Sequence, residues 1–129
     1  MNLNTTINED KVYRYLSDHT TINGIIHISH GMAEHIGRYE WLIHRLNNDG
    51  FHVIAIDHRG HGKRIGDNPK GYFADKNGWN LVLDDLMNLV DETNKEFPNH
   101  KQFLIGHSMG SWISLGVIQK GVNLDGLVL

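Results

Sequence analysis

The feature that most constrains this chain is the stretch from Gln102 to Ser114. A short apolar run, Gln102 to Ile105, enters Gly106-His107-Ser108-Met109-Gly110 and continues into residues with helical apolar spacing at Met109, Ile113, Val117 and Ile118. Gly121 stands where a helix C-terminal cap belongs. A serine carried on so sharp a strand-to-helix turn tolerates almost no bulk two residues to either side, and Gly106 and Gly110 supply that room. The pattern is that of a nucleophile elbow, with Ser108 as the nucleophile and the free backbone N–H of Met109 facing an oxyanion on a carbonyl under attack. The plainer reading of the same letters is a tight connection whose serine only caps a helix.

The rest of the chain alternates strand and helix signals around this stretch. Leu3 to Ile7 and Lys11 to Ser17 are β-prone runs separated by Asn8-Glu9-Asp10, an antiparallel hairpin leading in over residues 1–21. Ile22 to Ser29 is nearly continuous in apolar residues, as in a strand buried on both faces of a parallel sheet. Arg38 to Asn48 has helical spacing at Trp41, Leu42 and Leu46 and stops at Asn48-Asp49-Gly50. Phe51 to Ile56 is a second buried strand, followed by a loop from Lys63 to Gly78. Trp79 to Phe97 is the longest helix, its apolar face made by Leu83, Leu86, Val90 and Phe97, and Pro98 stops it. Asn123 to Leu129 begins another strand. This order predicts a doubly wound, mostly parallel α/β sheet with flanking helices, one domain over residues 1–129 with its core in 22–129.

Composition narrows the function classes. With 129 residues, 40% apolar and 21% charged, the chain suits one globular core. A net charge of −3 with scattered basic residues gives no footprint for nucleic acid. There is no cysteine, so neither disulfides nor thiolate chemistry arise. Met1 to Asp10 is polar and acidic, unlike a signal peptide, which makes a cytoplasmic location the expectation. No apolar run reaches membrane-spanning length, although a lipid substrate can be met at a membrane surface.

Three further motifs join the elbow: His30-Gly31-Met32-Ala33-Glu34-His35 after the first buried strand, Arg38-Tyr39, and Asp57-His58-Arg59-Gly60-His61-Gly62 after the second. With Gly106 to Gly110 they resemble the α/β-hydrolase superfamily, in its monoacylglycerol lipase, lysophospholipase and serine aminopeptidase-like branch, from about Ile22 to Leu129. The resemblance implies that Ser108 accepts the acyl group and that the N–H groups of Met32 and Met109 form the oxyanion hole. His30, Gly31, Gly106, His107 and Gly110 support the two turns, and Glu34 and Asp57 brace loops. It implies a carboxylic ester of monoacylglycerol or lysophospholipid type as substrate and no cofactor. A peptidase or thioesterase shares the same elbow chemistry.

In that superfamily the triad runs Ser, then Asp or Glu, then His, and this chain reaches Leu129 before either. The expectation is the N-terminal part of a hydrolase, truncated before the cap and last strands, inactive or nearly so alone and prone to associate through an unpaired C-terminal strand edge. The alternative is a non-catalytic binding or interaction remnant of the fold. Ten histidines invite a metal, but His30 and His35, five apart, and His58 and His61, three apart, lie in turns and match no helix-borne ligand pair. His107 adjoins Ser108 along a strand, where neighbours face opposite ways, which makes it a poor base for that hydroxyl. Trp41, Trp79 and Trp112 are assigned to the core, and Asp84, Asp85, Asp91 and Glu92 to a solvated helix face.

Overall fold

A computed structural model describes residues 5–7 and 10–129. Six strands form one sheet: β1 (Thr5–Ile7), β2 (Tyr13–Tyr15), β3 (Gly24–Ser29), β4 (Phe51–Ala55), β5 (Gln102–Gly106) and β6 (Gly126–Val128). Their order across the sheet is β1-β2-β4-β3-β5-β6, with β1 and β2 antiparallel and the other four parallel. Leu3, Asn8 and Glu9, part of the expected lead-in hairpin, lie outside the described residues. The β1–β2 pairing and the Asp10 carboxylate accepting the Val12 N–H at 3.0 Å agree with the rest of that hairpin.

The side chains explain why the sheet is wound on both faces. Successive residues of β3 point to opposite sides, so Ile25 joins one core with Ile54, Leu104 and the helices α2 (Gly78–Glu96) and α3 (Met109–Gln119). Ile26 and Ile28 join the other, with Val53, Ala55, Ile36 and Ile43 of α1 (Glu40–Asn48). Every residue of β3 is buried, as its nearly continuous apolar run predicts. Polar His27 is accommodated within the strand because Nδ1 meets the Ile54 carbonyl at 2.7 Å and Nε2 the Gln102 amide at 2.6 Å. Burial keeps that ring neutral, its pKa lowered.

The chain leaves β3 toward β4 and leaves β5 toward β6, in opposite directions from adjacent strands. The carboxyl ends of β3 and β5 are therefore the switch point at which α/β sheets open a crevice. Register places Ser29 opposite Gly106, so the turns that follow the two strands emerge level with one another.

Three expectations need correction. The segment expected to begin a helix at Arg38 is instead a 3-10 turn, Ile36–Tyr39, and α1 starts at Glu40. The tryptophans are on the outside, with Trp41, Trp79 and Trp112 exposed by 68%, 45% and 73%. Helical spacing alone does not say which stripe faces inward: in α1 the sheet takes Ile43 and Asn47, while Trp41 stays out under the Arg45 guanidinium at 5.9 Å. Asp85 is not a solvated face residue, because it takes a bidentate ion pair from Arg59 at 2.6 and 3.2 Å. The C-terminal cap at Gly121 agrees with expectation: φ is +86°, Gly121 N–H donates to Ile118 and Val122 N–H to Val117, a Schellman pair.

Burial separates neighbours on α3. Ile113→Ala should cost about 2–5 kcal/mol of stability, whereas Trp112→Ala should stay within about 0.5 kcal/mol; urea unfolding of the two variants beside the parent checks both.

Candidate active site

The elbow is built by close packing of α3 on the end of β3. A Cβ at Gly110 would stand 1.8 Å from the Ser29 carbonyl oxygen, and one at Gly106 would stand 2.6 Å from Ser114 Oγ. The His107 N–H donates to Ser29 O at 3.1 Å, and the N–H groups of Gly110 and Ser111 donate to His107 and Ser108. Held at both ends, Ser108 takes φ +55° and ψ −121°. That backbone is strained for any residue with a Cβ, by roughly 1–3 kcal/mol. Its side chain is exposed and makes no capping hydrogen bond to its helix.

The turn after β3 lies against this serine. A Cβ at Gly31 would be 3.3 Å from Ser108 Cβ, 3.4 Å from the His107 carbonyl and 2.7 Å from Glu34 Oε2. Ala33 at φ +62° folds the turn back, and the Glu34 N–H donates to Gly31 O at 3.3 Å. One oxygen, Glu34 Oε2, then accepts the Gly31 N–H at 2.6 Å and the Tyr39 hydroxyl at 2.8 Å, and stands 3.4 Å from His107 Nδ1. Burial pushes the Glu34 carboxyl up, but the hydrogen bonds from Tyr39, Gly31 and His107 outweigh it and hold its pKa below the ordinary range. Among the described residues neither the Met32 nor the Met109 N–H is taken by a hydrogen bond. Two unspent donors beside an exposed hydroxyl are suited to hold a developing oxyanion.

Beneath the turns lies a buried polar layer. Asp57 Oδ1 accepts the Ile36 N–H at 2.8 Å, and Oδ2 accepts the Tyr13 hydroxyl at 2.9 Å and the Lys63 N–H at 3.0 Å. His30 joins the two loops, with Nδ1 donating to Gly31 O at 2.8 Å and Nε2 accepting the His58 N–H at 2.9 Å. Its ring lies 4.4 Å from that of His58 and 5.1 Å from that of His61. His58 Nε2 meets Ser29 Oγ at 3.0 Å, and His61 Nδ1 donates to the Arg59 carbonyl at 2.8 Å. Burial, with the neighbouring rings and Arg64 adding to it, pushes His58 from an ordinary 6.5 down to about 3. Burial also lowers His30.

Ser108, Met109, Gly106, His107, Gly110, His30, Gly31 and Met32 thus meet at the carboxyl ends of β3 and β5. The Ser29–His58 contact and the Arg59–Asp85 clamp are partnerships that the residue patterns do not single out, because each joins segments distant in sequence. Asp125 is the one acid after Ser108 in the sequence, and no histidine follows it. It sits at the amino end of β5, where its carboxylate accepts the Gln102 N–H at 2.8 Å, a strand length from Ser108. Among the described residues no group of three or more His, Asp or Glu is placed to hold a metal ion. A cavity of about 390 Å³ between β2, β4 and α2, lined by Val12, Ile54, Ile56 and Leu89 among others, includes no residue of either turn.

The family model described as "Serine aminopeptidase, S33" matches residues 20–129. The chain belongs to this family. Mouse monoglyceride lipase is 35% identical over 127 residues, which cover 95% of this chain and 40% of the lipase. The monoacylglycerol lipase of Mycolicibacterium smegmatis is 33% identical over 102 residues, 79% of this chain and 35% of that protein. A thermostable carboxyl esterase from Bacillus coagulans, solved in complex with glycerol, superposes with TM-score 0.82 at 32% identity, over 98% of this chain and 42% of the esterase. The fold is that of an α/β-hydrolase. The chain spans about 40% of the length of the mouse lipase, and a similar share of the other two.

Two outcomes follow from this family's turn as built here. Ser108→Gly should raise stability by about 1 kcal/mol while removing the hydroxyl, because glycine adopts this backbone without strain; denaturant midpoints read it. On acidification the unfolded chain takes up protons on its histidines near pH 6.5, while buried His58 does not until about 3. Stability present above pH 6.5 is therefore lost as the pH falls toward 3. The urea midpoint should drop between pH 7 and pH 4, and the drop should be smaller in His58→Gln.

Proposed function

We propose that this chain is the nucleophile-bearing part of a serine hydrolase acting on carboxylic esters of monoacylglycerol or lysophospholipid type. The observation that carries the reading is the strained, exposed Ser108 in contact range of the Gly31 turn, with the Met32 and Met109 N–H groups unspent beside it. In this reading Ser108 Oγ attacks the ester carbonyl carbon as its proton passes to a base. The two N–H groups take the negative charge on the carbonyl oxygen, each contributing roughly 3 kcal/mol to lowering the barrier. Collapse expels the alcohol and leaves the acyl group on Ser108, and water then releases the carboxylic acid. Glu34 and the His30 layer act by holding the Met32 N–H in place. The lipase and esterase names of the relatives support the ester class.

A second reading, a non-catalytic binding remnant of the fold, is favoured by one observation. Asp125, an acid after Ser108 in the sequence, is held at the amino end of β5 by the Gln102 N–H, a strand length from the Ser108 hydroxyl. His107 turns its Nδ1 toward Glu34, and among the described residues it makes no hydrogen bond to Ser108.

A fluorophosphonate probe read by intact mass, with a short-chain p-nitrophenyl ester for turnover, separates the readings. When the chain is joined to the remaining part of a hydrolase of this family, Ser108→Ala should lower turnover by about 10³-fold or more and abolish labelling. Turnover that survives Ser108→Ala would refute the assignment.

A further inference from the structure

Asparagine followed by glycine loses its side-chain amide more readily than asparagine before other residues, because glycine sets no Cβ between its own nitrogen and the neighbouring amide carbon. This sequence holds two such pairs, Asn23-Gly24 and Asn77-Gly78. The fold treats them in opposite ways. Asn23 leads into the central strand β3, where its N–H donates to Gly50 O at 2.8 Å and its Nδ2 donates to Asp49 O at 2.8 Å. Gly24 is buried as the first residue of that strand, in register with Phe51. The amide that would leave and the backbone that would have to turn are both tied down.

Asn77-Gly78 opens α2, and packing explains both residues. Asn77 is exposed at φ +59° and ψ +23°, a left-handed conformation that asparagine tolerates better than most side chains. A Cβ at Gly78 would stand 3.0 Å from Phe73 Cβ, so a larger residue there would crowd the loop that precedes the helix. The Asn77 side chain makes no capping hydrogen bond to α2. Its Oδ1 accepts from Asn80 Nδ2 at 3.3 Å, and among the described residues its own Nδ2 donates to nothing. Gly78 is the first helical residue, so its N–H has no acceptor within the helix.

We propose that Asn77 is a modification site at which the folded chain deamidates through a succinimide, while Asn23 is protected. Gly78 N gives its proton to solvent base and bonds to Asn77 Cγ. The Cγ–Nδ2 bond then breaks, and ammonia leaves with a proton drawn from water. A second water opens the five-membered ring at either carbonyl, giving aspartate or isoaspartate, so that overall one water is consumed and one ammonia released. Fraying of the first turn of α2 supplies the rotation that the attack needs at little cost, whereas the same rotation at Asn23 must first part β3 from β4. Either product adds one negative charge to the net −3 of the chain. Isoaspartate also lengthens the main chain by a methylene, which displaces the Asn77 carbonyl from the Leu81 N–H that donates to it at 3.0 Å.

The test incubates the 129-residue chain in mildly alkaline buffer, folded and in urea, and follows both pairs by peptide mass mapping, with an isoaspartyl methyltransferase to label isoaspartate. The peptide holding Asn77 should gain about 1 Da. In the folded chain it should do so at least about tenfold faster than the peptide holding Asn23. In urea the two rates should come within about threefold of each other. The Asn77 rate should rise with pH, as removal of the Gly78 proton requires, and Asn77→Gln should abolish the change at that position. Two results would overturn the proposal: a folded chain in which Asn23 keeps pace with Asn77, or one in which Asn77 keeps its amide while the urea-unfolded chain loses it.

Discussion

Everything at the carboxyl end of this sheet depends on how closely the first turn of α3 lies on the last residue of β3. There is no side chain at Gly110 because the Ser29 carbonyl oxygen occupies the space that a Cβ would need. That contact fixes the height of α3 above the sheet and so the sharpness of the bend at Ser108. It also brings the His107 carbonyl and Ser108 Cβ up to Gly31. The strain at Ser108 is small against the combined burial of Leu104, Ile113, Val117 and Ile25 in the core between the sheet and α3, which is why a serine with positive φ persists.

The second constraint is electrostatic. A turn that must leave its N–H groups unspent needs its other polar atoms satisfied from elsewhere. Glu34 does this at the surface with three neighbours around one oxygen, and Asp57 does it in the interior with two N–H groups and the Tyr13 hydroxyl. Burial and Asp57 together push the Tyr13 hydroxyl above its usual range, so it stays a donor. Burial favours the neutral form of His30 and His58, in which each ring carries one donor and one acceptor.

Much of this was legible in the amino-acid order. Glycine and proline punctuation separates the strands from the helices, and the nearly continuous apolar run of Ile25 to Ile28 marks the central strand. The spacing Gly106, Ser108, Gly110 marks the elbow, since a bend of this kind restricts residue choice more sharply than any helix or strand. The faces were not legible where apolar residues surround a helix: Trp112 and Ile113 are adjacent and both apolar, and only the packing of α2 and the sheet decides between them. Asp85 reads as one more acid on a polar helix until Arg59, 26 positions earlier, is brought against it. The roles of Glu34 and Asp57 came from family resemblance, because their partners lie as far as 73 residues away and leave no periodic trace.

The polar layer beneath the Gly31 turn draws on Tyr13, Ser29, His30, Glu34, Ile36, Asp57, His58, His61 and Lys63, with Asp85 as its most distant member. All of these precede β5. On a ribosome the cradle is therefore complete in sequence before the serine is made, and β5 then pairs with β3 across a separation of 77 residues between Ile25 and Gln102. The long closure needed for that pairing makes it the slow, high-contact-order step of folding. The strained bend at Ser108 follows that cradle in the sequence.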